Sequence, residues 1–423
     1  MSKLALLGGT PTLDANTLAP FNTIGREEGE AAQKVLQGGT LSGFLASNSS
    51  GFLGGPEVRR LEENWCEMFG TSHSISVNSA TSGLFAAVGA AGIGPGDEVI
   101  VSPYTMSASV VAPLIYGGIP IFADVEPDYF CLDPSEVAKA ITGKTKAIIA
   151  VNIFGHPASL HALRKIADEK NITLIEDNAQ APLAEEYGSY AGTIGHIGVF
   201  STNVHKHIQS GEGGICTTDD PDLALRLQLI RNHGENIVEE LELQDITNIV
   251  GFNYRMSEIT AAICNAQLTK LCDIVSGRAH YGEKLSRGLA GLNGIQPPKI
   301  RDGCRHVYYV WPARFNAEIV GVSRKSFAKA LVAEGVPVNE GYVKPRHLLP
   351  IFQRRTAVGA NGFPFDLTNQ PYQPSSCPVC RRLHYEEELG FGICNFSLSG
   401  SALDKVIEAF HKVYDLRHDL HDL

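Results

Sequence analysis

The sequence predicts an α/β fold: a mostly parallel sheet of about seven strands between helices, followed by a smaller C-terminal α+β domain. Three observations carry that reading. Short β-rich runs alternate with helix-length segments from about residue 73 to 220. These runs are apolar at consecutive positions, as in parallel strands covered on both faces. After Asp220 the pattern turns to long helical periodicity with isolated β-rich runs. The 423 residues exceed what one compact core holds and suit two domains. The expected division is an N-terminal arm over 1–30, a large α/β domain over 31–262 and a small α+β domain over 263–423.

The expected strands are 74–77, 98–101, 119–123, 147–151, 173–175, 198–200 and 214–217, with a helix over 160–170 between two of them. Ile259, Ala262, Ile263 and Ala266 follow helical spacing, and helix continues toward Leu289. A β-rich run covers 306–315. A helix from Ser323 has a serine to cap its start and Gly335 to end it. Another covers 402–413. Residues 357–380 are rich in Gly, Pro, Asn and Ser and read as a long loop, a length usually tied to function or mobility.

Composition excludes several function classes. A net charge of −11 argues against a nucleic-acid surface. The apolar run from Leu4 to Leu7 is too short for a signal-peptide core, and no stretch reaches the roughly 18–20 apolar residues of a membrane span. Nine scattered cysteines read as reduced thiols in a cytoplasm. Cys377 and Cys380 form a single CxxC with His384 nearby. Zinc needs about four ligands, so two ordinary thiols are expected and no metal site.

Chemistry concentrates just beyond three strand ends, where open α/β sheets bind ligands. After Val77 come Asn78, Ser79, Ala80, Thr81, Ser82 and Gly83, then an apolar helix. Small residues at a helix start admit an anion, although Ser79, Thr81 and Ser82 serve equally as helix caps. After Ile175 come Glu176, Asp177, Asn178, Ala179 and Gln180. A buried acid needs a partner, and a protonated pyridine nitrogen is one; a helix cap is the plain alternative. Gln180 shares the face of Asp177 and suits a phenolic oxygen. After Phe200 come Ser201 and then Lys206, between His205 and His207, with a return through Gly211, Glu212, Gly213 and Gly214. A lysine beside apolar walls, with a phosphate-binding hydroxyl nearby, suits a Schiff base with pyridoxal 5'-phosphate, PLP; alone it also fits a surface lysine on a polar turn. The flanking histidines are expected to pack or face solvent.

This order of phosphate cup, acid and lysine resembles the DegT/DnrJ/EryC1/StrS aminotransferases, a branch of the fold-type I, aspartate aminotransferase-like PLP enzymes. The resemblance spans nearly the whole chain. It includes Leu4 to Pro11, Gly94 to Ile100, Glu176 to Gln180, Phe200 and Ser201 with Lys206, Gly211 to Gly214, Asn253 to Met256, and Tyr342 with His347. It implies that Lys206 condenses with the cofactor aldehyde, Asp177 pairs with the ring nitrogen and Gln180 meets the phenolic oxygen. Thr81, Ser82 and Ser201 would hold the phosphate. Asn253 would reach the phosphate of a neighbouring subunit, which implies a homodimer with shared sites. Tyr342 and His347 would contact substrate. The donor would be L-glutamate or L-glutamine, and the acceptor a nucleotide-activated keto-sugar or a keto-cyclitol, in amino-sugar, antibiotic or surface-polysaccharide biosynthesis.

The chain departs from many relatives where an aromatic residue stacks on the cofactor ring. Met106 stands at the matching position, with Tyr104 two residues before it; either could cover the ring. Some relatives carry histidine for the catalytic lysine and are dehydratases. Lysine here favours transamination over a dehydratase, an aminobenzoate-type synthase or a non-catalytic PLP- or sugar-binding regulator. Lys344 and Arg346 put two cations near the expected site, suited either to a diphosphate or to a solvated turn.

Overall fold

The computed structural model describes residues 3–420. Seven strands build the main sheet: β1 (His73–Val77), β2 (Glu98–Val101), β3 (Ile119–Phe122), β4 (Thr145–Val151), β5 (Thr173–Asp177), β6 (Ile197–Ser201) and β7 (Gly214–Thr218). Their spatial order is β1-β7-β6-β5-β4-β2-β3. Strands β3, β2, β4, β5 and β6 pair in parallel, and only β7 runs antiparallel, to both β1 and β6. The observed strands match the expected runs to within two residues at either end.

Alternation explains why these strands are apolar throughout. Ile148, Ala150, Leu174, Phe200 and Ile215 point into one core with Trp65 and Leu163. Ala147, Ile149, Ile175, Val199 and Cys216 point into the opposite one, with Leu84, Leu227 and Ile230. The helices Pro56–Phe69 and Leu160–Lys170 supply the first cover; Ala80–Ala90 and Pro221–Arg231 supply the second. Most strand side chains are therefore buried whichever way they face, with Lys146 exposed near the start of β4.

A four-stranded antiparallel sheet, in the order Ile295–Gln296, Trp311–Phe315, Glu388–Phe391 and Val338–Glu340, forms a third core with the helices Leu271–Leu289, Arg324–Ala333 and Gly400–Asp415. Ser323 caps the second of these helices by accepting from the Ser326 N–H. The N-terminal segment docks here: Leu4 and Leu13 are buried, and Glu334 accepts from the backbone of Ala5 and Thr12 while pairing with Lys412 at 2.8 Å. Among the described residues, no helix is long and apolar enough to cross a membrane.

Two expectations need correction. The β-rich run over 306–315 is strand only from Trp311. Before that the chain follows a turn of the large sheet: Val307 N–H donates to the Gly155 carbonyl and Val310 N–H to that of Phe154. Tyr308 adopts φ +50° there, a left-handed conformation that breaks strand geometry. The loop over 357–380 is not without structure; it holds a short turn at Phe365–Leu367 and enters the helix Pro378–Arg382. Asp124 caps that helix from afar, accepting from the Val379 and Cys380 N–H groups at 2.8 and 2.9 Å. Both Cys377 and Cys380 are buried, and burial pushes their thiols up.

Trp65 ties this core to the site. It stacks on Phe69 at 5.0 Å and meets the edge of Phe200, the residue before Ser201, at 5.2 Å. Its indole N–H is buried without a partner. Trp65→Ala should therefore lower the unfolding free energy by about 3–5 kcal/mol, whereas Trp65→Phe, which removes an unsatisfied donor, should cost clearly less. Chemical denaturation followed by circular dichroism measures both; equal losses would contradict this packing.

Candidate active site

Three strand ends converge. At the first, beyond β1, Ser79 is the helix cap: its Oγ accepts from the Ser82 N–H at 3.0 Å. Ser82 Oγ donates to Asn78 Oδ1 at 2.6 Å. The Thr81 hydroxyl and the N–H groups of Ala80 and Thr81 have no partner among the described residues, so the first helical turn presents free donors where the dipole is positive. Gly214 makes this approach possible. A Cβ there would lie 2.6 Å from the Ala80 nitrogen.

At the second end, β5 buries two consecutive carboxylates on opposite faces. Glu176 is held by N–H groups of Gly192 and Ile194 at 2.6 and 2.8 Å, by that of Gly195, and by Asn152 Nδ2 at 3.2 Å. Asp177 has only two hydrogen bonds, from Ser109 Oγ at 2.6 Å and the Ala179 N–H at 3.2 Å. It has no ion pair within 4.0 Å among the described residues. Burial raises its pKa, against the opposing pull of Ser109, Ala179 and the Lys206 charge.

At the third end, the chain leaves β6 through a loop and returns along β7. Thr202 N–H donates to the Gly213 carbonyl and Val204 N–H to that of Gly211. Gly213 sits at φ +159°, and a Cβ on it would meet Thr202 Oγ1 at 2.3 Å. This tight return carries Lys206, whose Nζ lies 4.7 Å from the Tyr309 ring centroid. Burial lowers the Lys206 pKa; Asp177 and Cys394 pull it the other way. The lysine and the acid thus stand beyond the ends of the paired strands β6 and β5, and each feels the other's charge.

The remaining expected residues fall in distinct places. Gln180 accepts from the Phe154 N–H at 2.8 Å and donates to the Tyr342 hydroxyl at 3.0 Å, so these two share one wall of the site. Ser201, half-buried at the end of β6, accepts from the Asn203 N–H at 3.3 Å. Asn253 is exposed, and its backbone carbonyl accepts from Asn78 Nδ2 at 3.2 Å, beside the cup. Tyr104 is 0% exposed and its hydroxyl accepts from the Tyr342 N–H at 2.9 Å. It lies beneath the wall and offers no open face. Met106 is 51% exposed, one helical turn before Ser109. His347 is 0% exposed, its ring tilted against Phe122. Arg346, its neighbour, is the residue that reaches Thr105. His205 is exposed; His207 is buried, with Nε2 at 3.0 Å from the Val307 carbonyl.

Ser109 and Tyr309 escaped the sequence reading. Each lies far along the chain from the residue it serves and stands in no local pattern that marks it. The residues present fit PLP: a desolvated amine, a buried acid without an ionic partner in contact, and free hydroxyl and N–H donors for a phosphate.

The family model described as the DegT/DnrJ/EryC1/StrS aminotransferase family matches residues 36–378. The chain is 36% identical over 375 residues to the L-glutamine:2-deoxy-scyllo-inosose aminotransferase of Streptomyces kanamyceticus, covering 85% of this chain and 86% of that one. It is 32% identical over 353 residues to the dTDP-3-amino-3,4,6-trideoxy-alpha-D-glucose transaminase of Streptomyces venezuelae, covering 83% and 86%. Among solved structures, an aminotransferase from Psychrobacter cryohalolentis superposes with a TM-score of 0.83 at 25% identity, covering 95% of this chain and 100% of that one. DesV from S. venezuelae, in complex with a ketimine intermediate, superposes at 0.77 and 30% identity, covering 92% and 94%. The protein belongs to the DegT/DnrJ/EryC1/StrS aminotransferase family.

Proposed function

We propose that this enzyme transfers an amino group from L-glutamate or L-glutamine to a keto-cyclitol or a keto-sugar, in two half-reactions at one site. The observation that carries this reading is the placement of Lys206, beside the Tyr309 ring, and buried Asp177 beyond the ends of two paired strands. The names of the relatives support the acceptor class, since one is an inosose aminotransferase and another a dTDP-sugar transaminase. PLP, when bound, supplies the electron sink for the carbon that bears the exchanging amine.

The chain's own residues do the rest. Burial favours the neutral Lys206 amine, which is the form that attacks a carbonyl and the form that accepts a proton at Nζ. Asp177, steadied by Ser109, holds negative charge against a cationic ring nitrogen. Thr81, Ser201 and the first-turn N–H groups bind the phosphate, with Ser82 shaping the cup through Asn78 and Ser79. Gln180 and Tyr342 form one wall, and Met106 covers the ring with its polarizable side chain. The exposed Asn253 completes the site of a second copy in a homodimer. Nine free cysteines suit a reducing cytoplasm.

Adding L-glutamate or L-glutamine to the PLP-loaded protein should bleach its visible band and release the 2-oxo acid. Lys206→Ala should abolish both, and an unchanged wild-type spectrum with every amino acid would refute transamination. The donor-loaded enzyme, offered a panel of keto-inositols and nucleotide keto-sugars, should regain its band with one class; recovery with neither would refute the acceptor assignment.

Ser109 gives a pH prediction. Its hydrogen bond favours the ionised form of Asp177, so Ser109→Ala removes that support and raises the carboxyl pKa further. The acid limb of the donor half-reaction should move to higher pH in this variant. Stopped-flow rates across pH measure it; a limb that stays put or moves down contradicts the role given to Ser109.

A further inference from the structure

Arg346 is a half-buried cation at the site wall with no counter-ion. Its backbone N–H donates to the Pro103 carbonyl at 2.8 Å, and its Nε donates to the Thr105 carbonyl. Those two bonds fix the guanidinium. Its terminal NH2 groups make no hydrogen bond, and it forms no ion pair, among the described residues. The chain around its anchor leads to the reacting centre. The Thr105 hydroxyl lies 3.2 Å from Ser109 Oγ, which donates to Asp177. Tyr342, on the same turn, bonds Gln180.

The acids that feel Arg346 are Tyr342 and Cys380, and burial keeps both protonated. His384, the nearby base, is held neutral, its pKa pushed down to about 4 by burial and by the charges of Arg324 and Arg346. The wall therefore offers one uncompensated positive charge with a planar fork free for an incoming anion. A fork of that kind suits a carboxylate bidentately. Lys344, two residues earlier, is exposed, so the turn holds one half-buried cation, Arg346.

We propose that Arg346 recognises the α-carboxylate of the amino donor, the anion attached to the carbon whose amine is exchanged. This inference rests on the transaminase reading above. It explains how a site that accepts a polyhydroxylated ketone also selects an amino acid: the donor offers an anion on the carbon whose amine is exchanged, and the ketone carbon of the acceptor bears none.

The test compares L-glutamine with 4-aminobutanamide, and L-glutamate with 4-aminobutanoate, pairs that differ only in the α-carboxylate. Single-turnover bleaching of the PLP-loaded protein is followed in wild type, Arg346→Gln and Arg346→Lys. Calorimetric binding of 2-methyl-L-glutamine, which lacks the α-hydrogen, gives a second readout. Wild type should prefer the carboxylate-bearing donor strongly. Arg346→Gln should lose roughly 10- to 100-fold of that preference, mostly in apparent affinity, with a parallel loss for 2-methyl-L-glutamine. Arg346→Lys, which keeps charge without the fork, should fall between. The acceptor half-reaction should fall less than the donor half-reaction in both variants. If wild type bleaches with its donor and Arg346→Gln keeps the full preference, the inference fails alone. If Arg346→Gln instead weakens competition by a nucleoside diphosphate while donor affinity holds, the site reads phosphate and the inference is overturned. If wild type bleaches with no amino acid, the transaminase reading falls and takes the inference with it.

Discussion

A buried carboxylate near a half-buried amine is the constraint on which the site depends. Asp177 and Lys206 each lose hydration, and each is shifted toward its neutral form. Two ionisable groups in such a place are costly unless something supports the charged forms or a reaction uses the neutral ones. The contrast with Glu176 sharpens the point. That neighbour points to the other face and receives four hydrogen bonds, three from backbone N–H groups. Its role is structural: it ties the 192–195 turn to β5. Asp177, with two hydrogen bonds, retains capacity for a further partner.

The sheet brings these groups together by direction. Strands β1, β5 and β6 run the same way, so their carboxyl ends open on one edge. The cup, the acid and the lysine loop each begin where one of them stops. Strand β7 returns antiparallel between β1 and β6 and lies against the helix start at Ala80. Glycine at 213 and 214 permits both contacts. Residues from much later in the chain, Tyr309, Tyr342 and Arg346, add to these strand ends. The first of these is placed by the departure of residues 306–310 from strand geometry.

Much of this was legible in the sequence, for physical reasons. Strands covered on both faces must be apolar at every position, so the seven runs stood out against their flanks. Lys206, Asp177 and the Thr81–Ser82 cup lie immediately past those runs, where open sheets bind ligands. What stayed hidden depends on tertiary packing. Tyr104 and Met106 stand two residues apart on a bend before a short helix, and only the wall built by Phe154 and Tyr342 decides that the tyrosine is interior. His347 and Arg346 are adjacent, and the turn sends the arginine to Thr105 while the histidine sinks against Phe122. Ser109 and Tyr309 gain their roles through contacts that no local pattern announces.

The chemistry turns on Lys206 as the residue that joins the cofactor. Reduction of the PLP-loaded protein with borohydride, followed by digestion and mass spectrometry, tests this directly. The phosphopyridoxyl group should appear on the peptide containing Lys206 and on no other lysine peptide, and prior treatment with the amino donor should prevent it. A label on a different lysine, or no covalent label from the yellow protein, would contradict the assignment.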